Sequence, residues 1–290
     1  MKTFHFNIII LMLFLIGFNP VRGQNDNKFL KKSSDSYFST SVNYISDAVF
    51  LGRKDSVSAP YLYPVILYHH NSGLYASGSL SYLTKSNQSR VDLYLLTAGI
   101  DFNFNKFQGD ISATKYFFND ESYNVISDVE GDITAQFLYD FNYINLSFDA
   151  STYFNKNSHN DFFLSGNLFY DFKTINGQLL ISPRAGIHFG TQYFYEEYYM
   201  NNRMGNRKGY KGGNNIQTSI ITLNEREKFN IMAIDFSFPF LYTHESLTFT
   251  FIPTFVFPKN KSTFVINDEV YNEELKETFY WILGVSYILN

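Results

Sequence analysis

The sequence has no cysteine, little charge and no apolar run long enough for a membrane-spanning helix, and each absence excludes a class of protein. Without cysteine, the 290-residue chain cannot be held by disulfides or bind a metal through thiolates. A mean hydropathy of −0.18 excludes a bundle of membrane helices. The 23 basic residues are outnumbered by 27 acidic ones, so the chain has no basic footprint for nucleic acid.

Aromatic side chains are what the sequence has in excess. It contains 32 phenylalanines, 23 tyrosines and one tryptophan, together 19% of the chain. Each phenylalanine or tyrosine buries about 150–250 Å², and a chain of this size has too small an interior for so many rings. We therefore expect many of the rings to face something other than water.

The first 23 residues are predicted to be a secretory signal peptide (1–23). A basic residue precedes an apolar segment at positions 6–18, and small residues precede Gln24 as they do at signal-peptidase sites. The apolar segment is too short to span a bilayer as a helix. Residues 24–36 are polar and are predicted to form a periplasmic lead-in, which leaves residues 37–290 for the folded domain.

In the rest of the chain, apolar and polar or small side chains alternate with a period of two residues. The last segment places large apolar side chains on one face, namely Phe279, Trp281, Leu283, Val285, Tyr287 and Leu289. The opposite face carries mostly small residues such as Gly284 and Ser286. The segment at 247–257 repeats the pattern. This alternation is typical of a β-strand with one apolar face.

Connection lengths alternate as well, and they predict how the strands are arranged. Twelve strands are predicted near residues 37–51, 60–70, 74–84, 89–105, 107–117, 130–141, 144–154, 161–172, 178–192, 229–242, 246–257 and 278–289. Tight turns follow the even-numbered strands, whereas the longest loops are at 193–228 and 258–277. The pattern predicts an all-β fold, a transmembrane antiparallel up-and-down β-barrel of about 12 strands, with 10–14 possible, short periplasmic turns and long extracellular loops.

A soluble sandwich or lipocalin-like barrel is the alternative fold. Its outer face would carry lysine and glutamate, but the second face of the late strands is mainly Gly, Ser, Thr and Ala, which suits a narrow lumen better. We therefore expect the protein in the outer membrane of a Gram-negative cell, with its N- and C-termini in the periplasm.

Several segments resemble an uncharacterised family of Bacteroidota outer-membrane β-barrel proteins. These segments are YHHNSGLY (68–75), ISP (181–183), FTFIPT (249–254), FYW (279–281) and GVSY (284–287). They are strand and turn pieces spread over most of the chain after the signal. The resemblance therefore implies the barrel fold and carries no assigned chemistry.

Polar residues on the inward face are the candidates for a selective lumen. Parity along the strands places the following residues inward: Asp101, Asp110, Gln136, Asp149, Arg184, His188, Gln192 and Asp235. Arg184 and Asp235 lie on strands predicted to be neighbours, so they could pair across the wall. Two interpretations stay open, a paired network that fills the lumen and a constriction in a narrow pore.

The two longest loops are the second candidate region. The first carries four basic residues, Arg203, Arg207, Lys208 and Lys211, and the second is acidic, with Asp268, Glu269, Glu273, Glu274 and Glu277. Their opposite charges suggest that they fold together as a lid or plug, with a hairpin formed by residues 262–267 and 269–272. Mobile solvated loops, or a site for anionic glycan or lipopolysaccharide, are the alternatives.

No catalytic site, metal site or cofactor is predicted. His70 and Ser72 resemble the histidine and serine pair of outer-membrane lipid hydrolases, in which the histidine activates the serine, and this is the alternative function. However, Asn-Ser-Gly at 71–73 is also what a tight turn requires. The six histidines show no metal-binding spacing.

Three prolines, Pro183, Pro239 and Pro253, fall inside strands predicted to be neighbours. Each removes one ladder donor, so bulges or a weakened wall are expected there.

The predicted function is passive: a narrow solute pore, or a structural or accessory barrel that acts through its extracellular loops. The predicted partners are outer-membrane lipid and lipopolysaccharide and the outer-membrane assembly machinery, with a membrane or surface protein as a further option.

Overall fold

The computed structural model describes residues 36–156, 158–174, 176–198, 221–223, 225–266 and 269–289, and they form one large sheet, one small sheet and one short helix. The large sheet consists of β1 (Tyr37–Ile45), β2 (Tyr61–His69), β3 (Leu74–Leu83), β4 (Arg90–Phe104), β5 (Phe107–Phe118), β6 (Val129–Asp140), β7 (Asn145–Asn155), β8 (Asp161–Phe169), β9 (Phe172–Thr174), β10 (Leu179–Ile181), β11 (Arg184–Gly190), β13 (Asn230–Ser237), β14 (Phe240–His244), β15 (Leu247–Pro258) and β18 (Thr278–Leu289). The small sheet consists of β12 (Ile221–Leu223), β16 (Thr263–Ile266) and β17 (Glu269–Asn272), and the helix is α1 (Tyr193–Tyr198). Within these ranges no helix is long and apolar enough to cross a membrane.

The large sheet closes on itself, because β1 pairs antiparallel with β2 on one side and with β18 on the other. Three wall strands are interrupted, so that β8 with β9, β10 with β11, and β13 with β14 each form one strand of the wall. The result is a closed antiparallel barrel of 12 strands. Both the fold class and the strand count predicted from the sequence are confirmed.

The outer face of the barrel is apolar. Large side chains stand exposed there on alternate positions, among them Phe38, Ile66, Leu96, Ile111, Ile133, Phe148, Phe249, Phe279 and Leu283. A continuous apolar surface of this kind is suited to acyl chains rather than to water. The soluble alternative, with the apolar face inside, is therefore excluded, and the excess of rings is explained by the outer face.

The proline-containing strands keep their register but lose part of their ladder. Leu180 pairs with Leu241 before the interruption, and Arg184 pairs with Ser237 after it, so no residue is inserted between them. Each proline carbonyl accepts an N–H from the adjacent strand: Tyr170 N to Pro183 O at 3.3 Å, Ser182 N to Pro239 O at 2.9 Å, and Phe238 N to Pro253 O at 3.1 Å. The predicted weakening of the ladder is confirmed, whereas the predicted bulges are not found at these prolines.

The interior has an apolar half and a polar half. We call the end of the barrel that carries tight turns such as residues 70–73 the short-turn end, and the opposite end the long-loop end. At the long-loop end, buried apolar side chains form one core inside the barrel. Toward the short-turn end, the inward side chains are mostly polar.

The first predicted strand is too long, because β1 ends at Ile45 rather than at residue 51. Beyond it the chain turns inward, and Ala48, Val49 and Phe50 are buried in the apolar core. The segment Ala-Val-Phe-Leu at 48–51 is apolar at every position, so neither of its faces could be left in water. This explains why it fills the barrel instead of extending the wall.

Candidate functional site

One row of inward residues crosses six consecutive wall strands. It consists of Asp101 (β4), Asp110 (β5), Gln136 (β6), Asp149 (β7), Ser165 (β8) and His188 (β11), each paired across the sheet with the next. We call these six residues the polar row. Ser165 is half-buried and the other five are buried, while the flanking positions in the strands are exposed or half-buried, apart from the buried Gly109. The five buried members therefore face the inside of the barrel, on the side that strand parity predicts.

Gln136 is the member of the polar row with the least satisfied side chain. It is 2% exposed, and within the described part of the chain neither its amide oxygen nor its amide nitrogen has a hydrogen-bond partner. It lies between two carboxylates, since Asp110 is opposite on one side and Asp149 on the other. Buried amides are normally hydrogen-bonded, so this position is suited to a polar species that enters the lumen.

His188 joins the polar row to the next strand. Its Nε2 lies 3.2 Å from Asp235 Oδ2 on β13, and its Nδ1 lies 2.8 Å from Ser165 Oγ. Gly186 makes this packing possible, because a Cβ there would lie 2.3 Å from Asp235 Oδ1 and 2.7 Å from Asn167 Oδ1. Both ring nitrogens of His188 therefore have fixed neighbours, and its orientation is set by three strands.

Arg184 and Asp101 each contact side chains from a neighbouring part of the wall. The Arg184 guanidinium stacks over the Phe169 ring at 4.5 Å and lies in the field of Asp149, Asp171 and Asp235. Strands β11 and β13 are neighbours as predicted, and residue 186 rather than Arg184 is paired in register with Asp235. On the other side of the barrel, Asp101 Oδ2 lies 3.1 Å from His69 Nε2.

The wall opposite the polar row carries small polar residues. Half-buried residues point inward from β1, β3 and β15: Ser39, Ser41, Asn43, Ser79, Thr248 and Thr250. Their partial exposure on the inner face shows that solvent-sized space remains beside them. The lumen toward the short-turn end is therefore lined by carboxylates on one side and by hydroxyl and amide groups on the other.

At the long-loop end the lumen is closed by a plug, which we define as residues 46–59, 122–126 and 191–198. Phe50 lies at its centre, and its ring centroid is 5.5 Å from that of Phe163 on β8 and 5.1 Å from that of Phe194 in α1. Asp161 on β8 holds the start of the helix by accepting the N–H of Tyr193 at 2.8 Å and of Phe194 at 2.7 Å. The plug is thus fixed to the wall by both apolar and polar contacts.

A buried charge pair joins the plug to the last long loop. Arg53 is 1% exposed, and its Nη2 donates to the carbonyl of Asn260 at 3.0 Å and to Gln192 Oε1 at 3.4 Å, with Glu273 Oε2 at 3.6 Å. Glu273 also accepts the hydroxyl of Tyr195 at 2.6 Å. Gln192 was predicted on the inner wall, but it follows the end of β11 and belongs to the plug.

The described parts of the two long loops contact each other. β16 and β17 form the expected hairpin, and β12, at the end of the longest loop, adds to it through antiparallel pairing with β16. The four basic candidates Arg203, Arg207, Lys208 and Lys211 lie outside the described residues. The contact between the loops is therefore shown for their backbones and for the hydrogen bond from the Tyr195 hydroxyl to Glu273.

The predicted hydrolase pair lies in an exposed turn. Ser72 Oγ is 2.8 Å from His70 Nδ1, which fits a serine activated by histidine. The same turn explains the contact without catalysis, because Gly73 N donates to the carbonyl of His70 at 2.9 Å and Gly73 has a φ of 93°. Within the described residues no carboxylate orients His70, since the histidine that pairs with Asp101 is His69.

The described residues contain no group of three or more His, Cys, Asp or Glu side chains arranged to hold a metal ion. Sequence reasoning missed Arg53 and Asp161 as parts of the site. The apolar run at 48–51, with charged residues directly after it, was the signal that could have indicated a buried loop.

Comparisons with known proteins give structural matches only. No protein-family model matches the chain, and no curated protein sequence matches it. Among solved structures it is similar to the KdgM porin, with 10% identity over 87% of this chain and 99% of that one and a TM-score of 0.48. It is also similar to the NanC porin, with 10% identity, 86% and 98% coverage and a TM-score of 0.47.

A third match is LpxR from Salmonella typhimurium, with 11% identity over 86% of this chain and 99% of that one and a TM-score of 0.42. Such low identities and TM-scores indicate at most a general likeness of fold. Function therefore has to be inferred from the geometry of this chain.

Proposed function

We propose that the protein is an integral outer-membrane β-barrel without catalytic machinery that acts as a narrow solute pore. The observation that carries this proposal is the inner face, which is mostly polar between the short-turn end and the plug and keeps half-buried hydroxyl groups along β1, β3 and β15. A barrel that served only as a scaffold could fill its interior with apolar side chains, as this one does at the long-loop end.

The plug is the closing element of this proposed pore. It fills the long-loop half with aromatic rings, and the Arg53–Glu273 pair ties it to the last loop. Twelve strands lie between eight-stranded barrels filled by side chains and 16-stranded porins with open channels. A narrow lumen with a displaceable plug fits this intermediate size.

The proposal includes orientation, location and partners. Short turns would lie in the periplasm with both termini, and the long loops would face the outside of a Gram-negative cell, as in other bacterial barrels. The apolar outer face supports contact with outer-membrane lipid and lipopolysaccharide, and folding would depend on the outer-membrane assembly machinery. The strand and turn segments named above support membership of the Bacteroidota barrel family.

Single-channel recording in planar bilayers tests the pore. We expect small conductance steps from the folded protein, and altered step size in Arg184→Ala and Asp235→Ala, which change charge beside the lumen. Phe249→Ala is the control, because Phe249 is 50% exposed on the outer face. If the wild type, both lumen variants and the plug variant Phe50→Ala are all silent, the pore is ruled out and a structural or accessory barrel acting through its loops is favoured.

Lipid hydrolysis is the second candidate function, favoured only by the 2.8 Å contact between His70 and Ser72. The exposed turn lacks a carboxylate partner within the described residues, and Gly73 explains its shape. Ser72→Ala separates the two interpretations in an assay of phospholipid or lipid A hydrolysis. Activity that is present in the wild type and lost in Ser72→Ala would support the hydrolase, whereas activity that survives the substitution would eliminate this nucleophile.

A further inference from the structure

The charges inside the lumen are strongly one-sided. Among the described residues, six aspartates face inward between the plug and the short-turn end: Asp101, Asp110, Asp140, Asp149, Asp171 and Asp235. Arg184 lies among these aspartates, and Lys173 is exposed at the rim of the short-turn end. His69 and His188 add positive charge only when protonated. The carboxylates therefore outnumber the cations that could balance them.

The carboxylates are also arranged along a path rather than in one cluster. Asp140 and Asp171 lie near the short-turn end, since Asp140 accepts the turn N–H of Asn142 at 2.6 Å and Asp171 contacts Ser182 beside a proline interruption. Asp101 also lies at the short-turn end, where its N–H donates to the carbonyl of Gly73 at 3.0 Å. Asp110 and Asp149 follow it along the polar row. A positive solute that enters from the short-turn end would meet carboxylates along its route.

Gln136 gives an independent indication that something polar occupies this path. Its side chain is 2% exposed, points between Asp110 and Asp149, and makes no hydrogen bond within the described residues. An unsatisfied buried amide costs about 1–3 kcal/mol, so a site that retains one is expected to gain a partner when it is occupied. The amide oxygen and the two flanking carboxylates are all ligands for a cation.

We propose that the polar row makes the lumen selective for small cations, with Gln136 and the carboxylates of Asp110 and Asp149 as the selecting groups. This proposal rests on the pore function proposed above and names the class of solute. No three acidic or histidine side chains in the described part of the chain are arranged to chelate a metal. The groups would therefore hold a passing cation weakly, as conduction requires.

The small polar residues on the wall opposite the polar row complete the path for a cation. Ser41, Ser79 and Thr250 present oxygens that can replace part of a hydration shell, and they are half-buried rather than sealed. A cation could therefore exchange water for protein oxygen on both sides. An anion would meet the carboxylates on one side, with Arg184 as its main compensating charge.

The reversal potential under a salt gradient tests selectivity separately from conduction. With a tenfold KCl gradient, an ideally cation-selective pore gives about 59 mV, and we expect the wild type to lie on the cation side of zero. A conducting pore with a reversal potential at zero or on the anion side would overturn the selectivity and leave the pore intact. The absence of conductance in the wild type and in plug variants would overturn both proposals.

Charge-neutralising variants test the named residues. Asp110→Asn and Asp149→Asn keep the side-chain shape, and each should lower the cation-to-anion permeability ratio by about fivefold, the factor that a unit charge contributes at about 4 Å in water. Gln136→Lys should move the reversal potential furthest toward the anion side.

Asp120→Asn is the matched control, because it removes the same charge from an exposed loop position outside the lumen. An equal loss of selectivity in Asp120→Asn and Asp149→Asn would assign the effect to surface charge and overturn the proposal. Heat-dependent gel mobility shows whether each variant is folded before it is recorded.

Discussion

Phe50→Ala removes the ring around which the plug is packed, and it is the change that most directly tests how the lumen is closed. Phe50 is 3% exposed, and its ring centroid lies 5.9 Å from that of Tyr153, 5.5 Å from that of Phe163 and 5.1 Å from that of Phe194. Truncation of a buried phenylalanine to alanine costs about 3–5 kcal/mol. Because these contacts join a loop to the wall, the cost should fall on docking of the plug rather than on the barrel ladder.

The size of the effect follows from this location. A factor of ten in population corresponds to about 1.4 kcal/mol, so the undocked fraction of the plug should rise by about 140-fold to 4000-fold. We expect a matching rise in open probability in planar bilayers, and new protease sensitivity in residues 46–59. Phe249→Ala removes a ring from the outer face and should change neither property.

A folded Phe50→Ala barrel with the open probability and protease resistance of the wild type would contradict this role of the plug. Folding of the variant is checked by heat-dependent gel mobility. Such a result would mean that the apolar core of the long-loop end does not control access to the lumen.

Two further substitutions test the polar contacts. Gly186→Ala should destabilise the barrel by about 1–3 kcal/mol in a denaturant titration, because the new Cβ would lie 2.3 Å from Asp235 Oδ1. Gly166→Ala is the control, since its Cβ would meet nothing closer than 3.9 Å. Equal unfolding midpoints for the two variants would contradict the assigned packing. Arg53→Met leaves Glu273 buried without its cation and should weaken plug docking by about 3–5 kcal/mol; unchanged protease resistance of the loops would show that the pair does not hold the plug.

The sequence predicted the wall of the barrel well because a strand imposes a strict period. Once a strand is recognised, parity alone decides which side chains share a face, and Asp110, Gln136 and Asp149 are all buried on the face that parity assigns to the inside. The proline interruptions were also predictable, since a missing N–H is a local property. Their effect on strand register was not predictable, because register depends on pairing with both neighbouring strands.

The plug could not be predicted in the same way. Arg53 contacts the carbonyl of Asn260, 207 positions along the chain, and no local pattern encodes a contact of that range. The predicted first strand ran through residue 51 because apolar side chains are compatible with both a wall and a core. The choice between these two environments is made by the packing of Phe50 against rings from β7, β8 and α1.

The central claim, a water-accessible polar lumen inside a lipid-facing barrel, is tested most directly by cysteine accessibility. The chain has no cysteine of its own, so a single introduced thiol is the only one that reacts. In folded protein in membranes, Ser79→Cys on the inner wall should react with a small charged thiol reagent, while Leu96→Cys on the outer face should stay protected by lipid. Protection of Ser79→Cys together with reaction of Leu96→Cys would contradict the account.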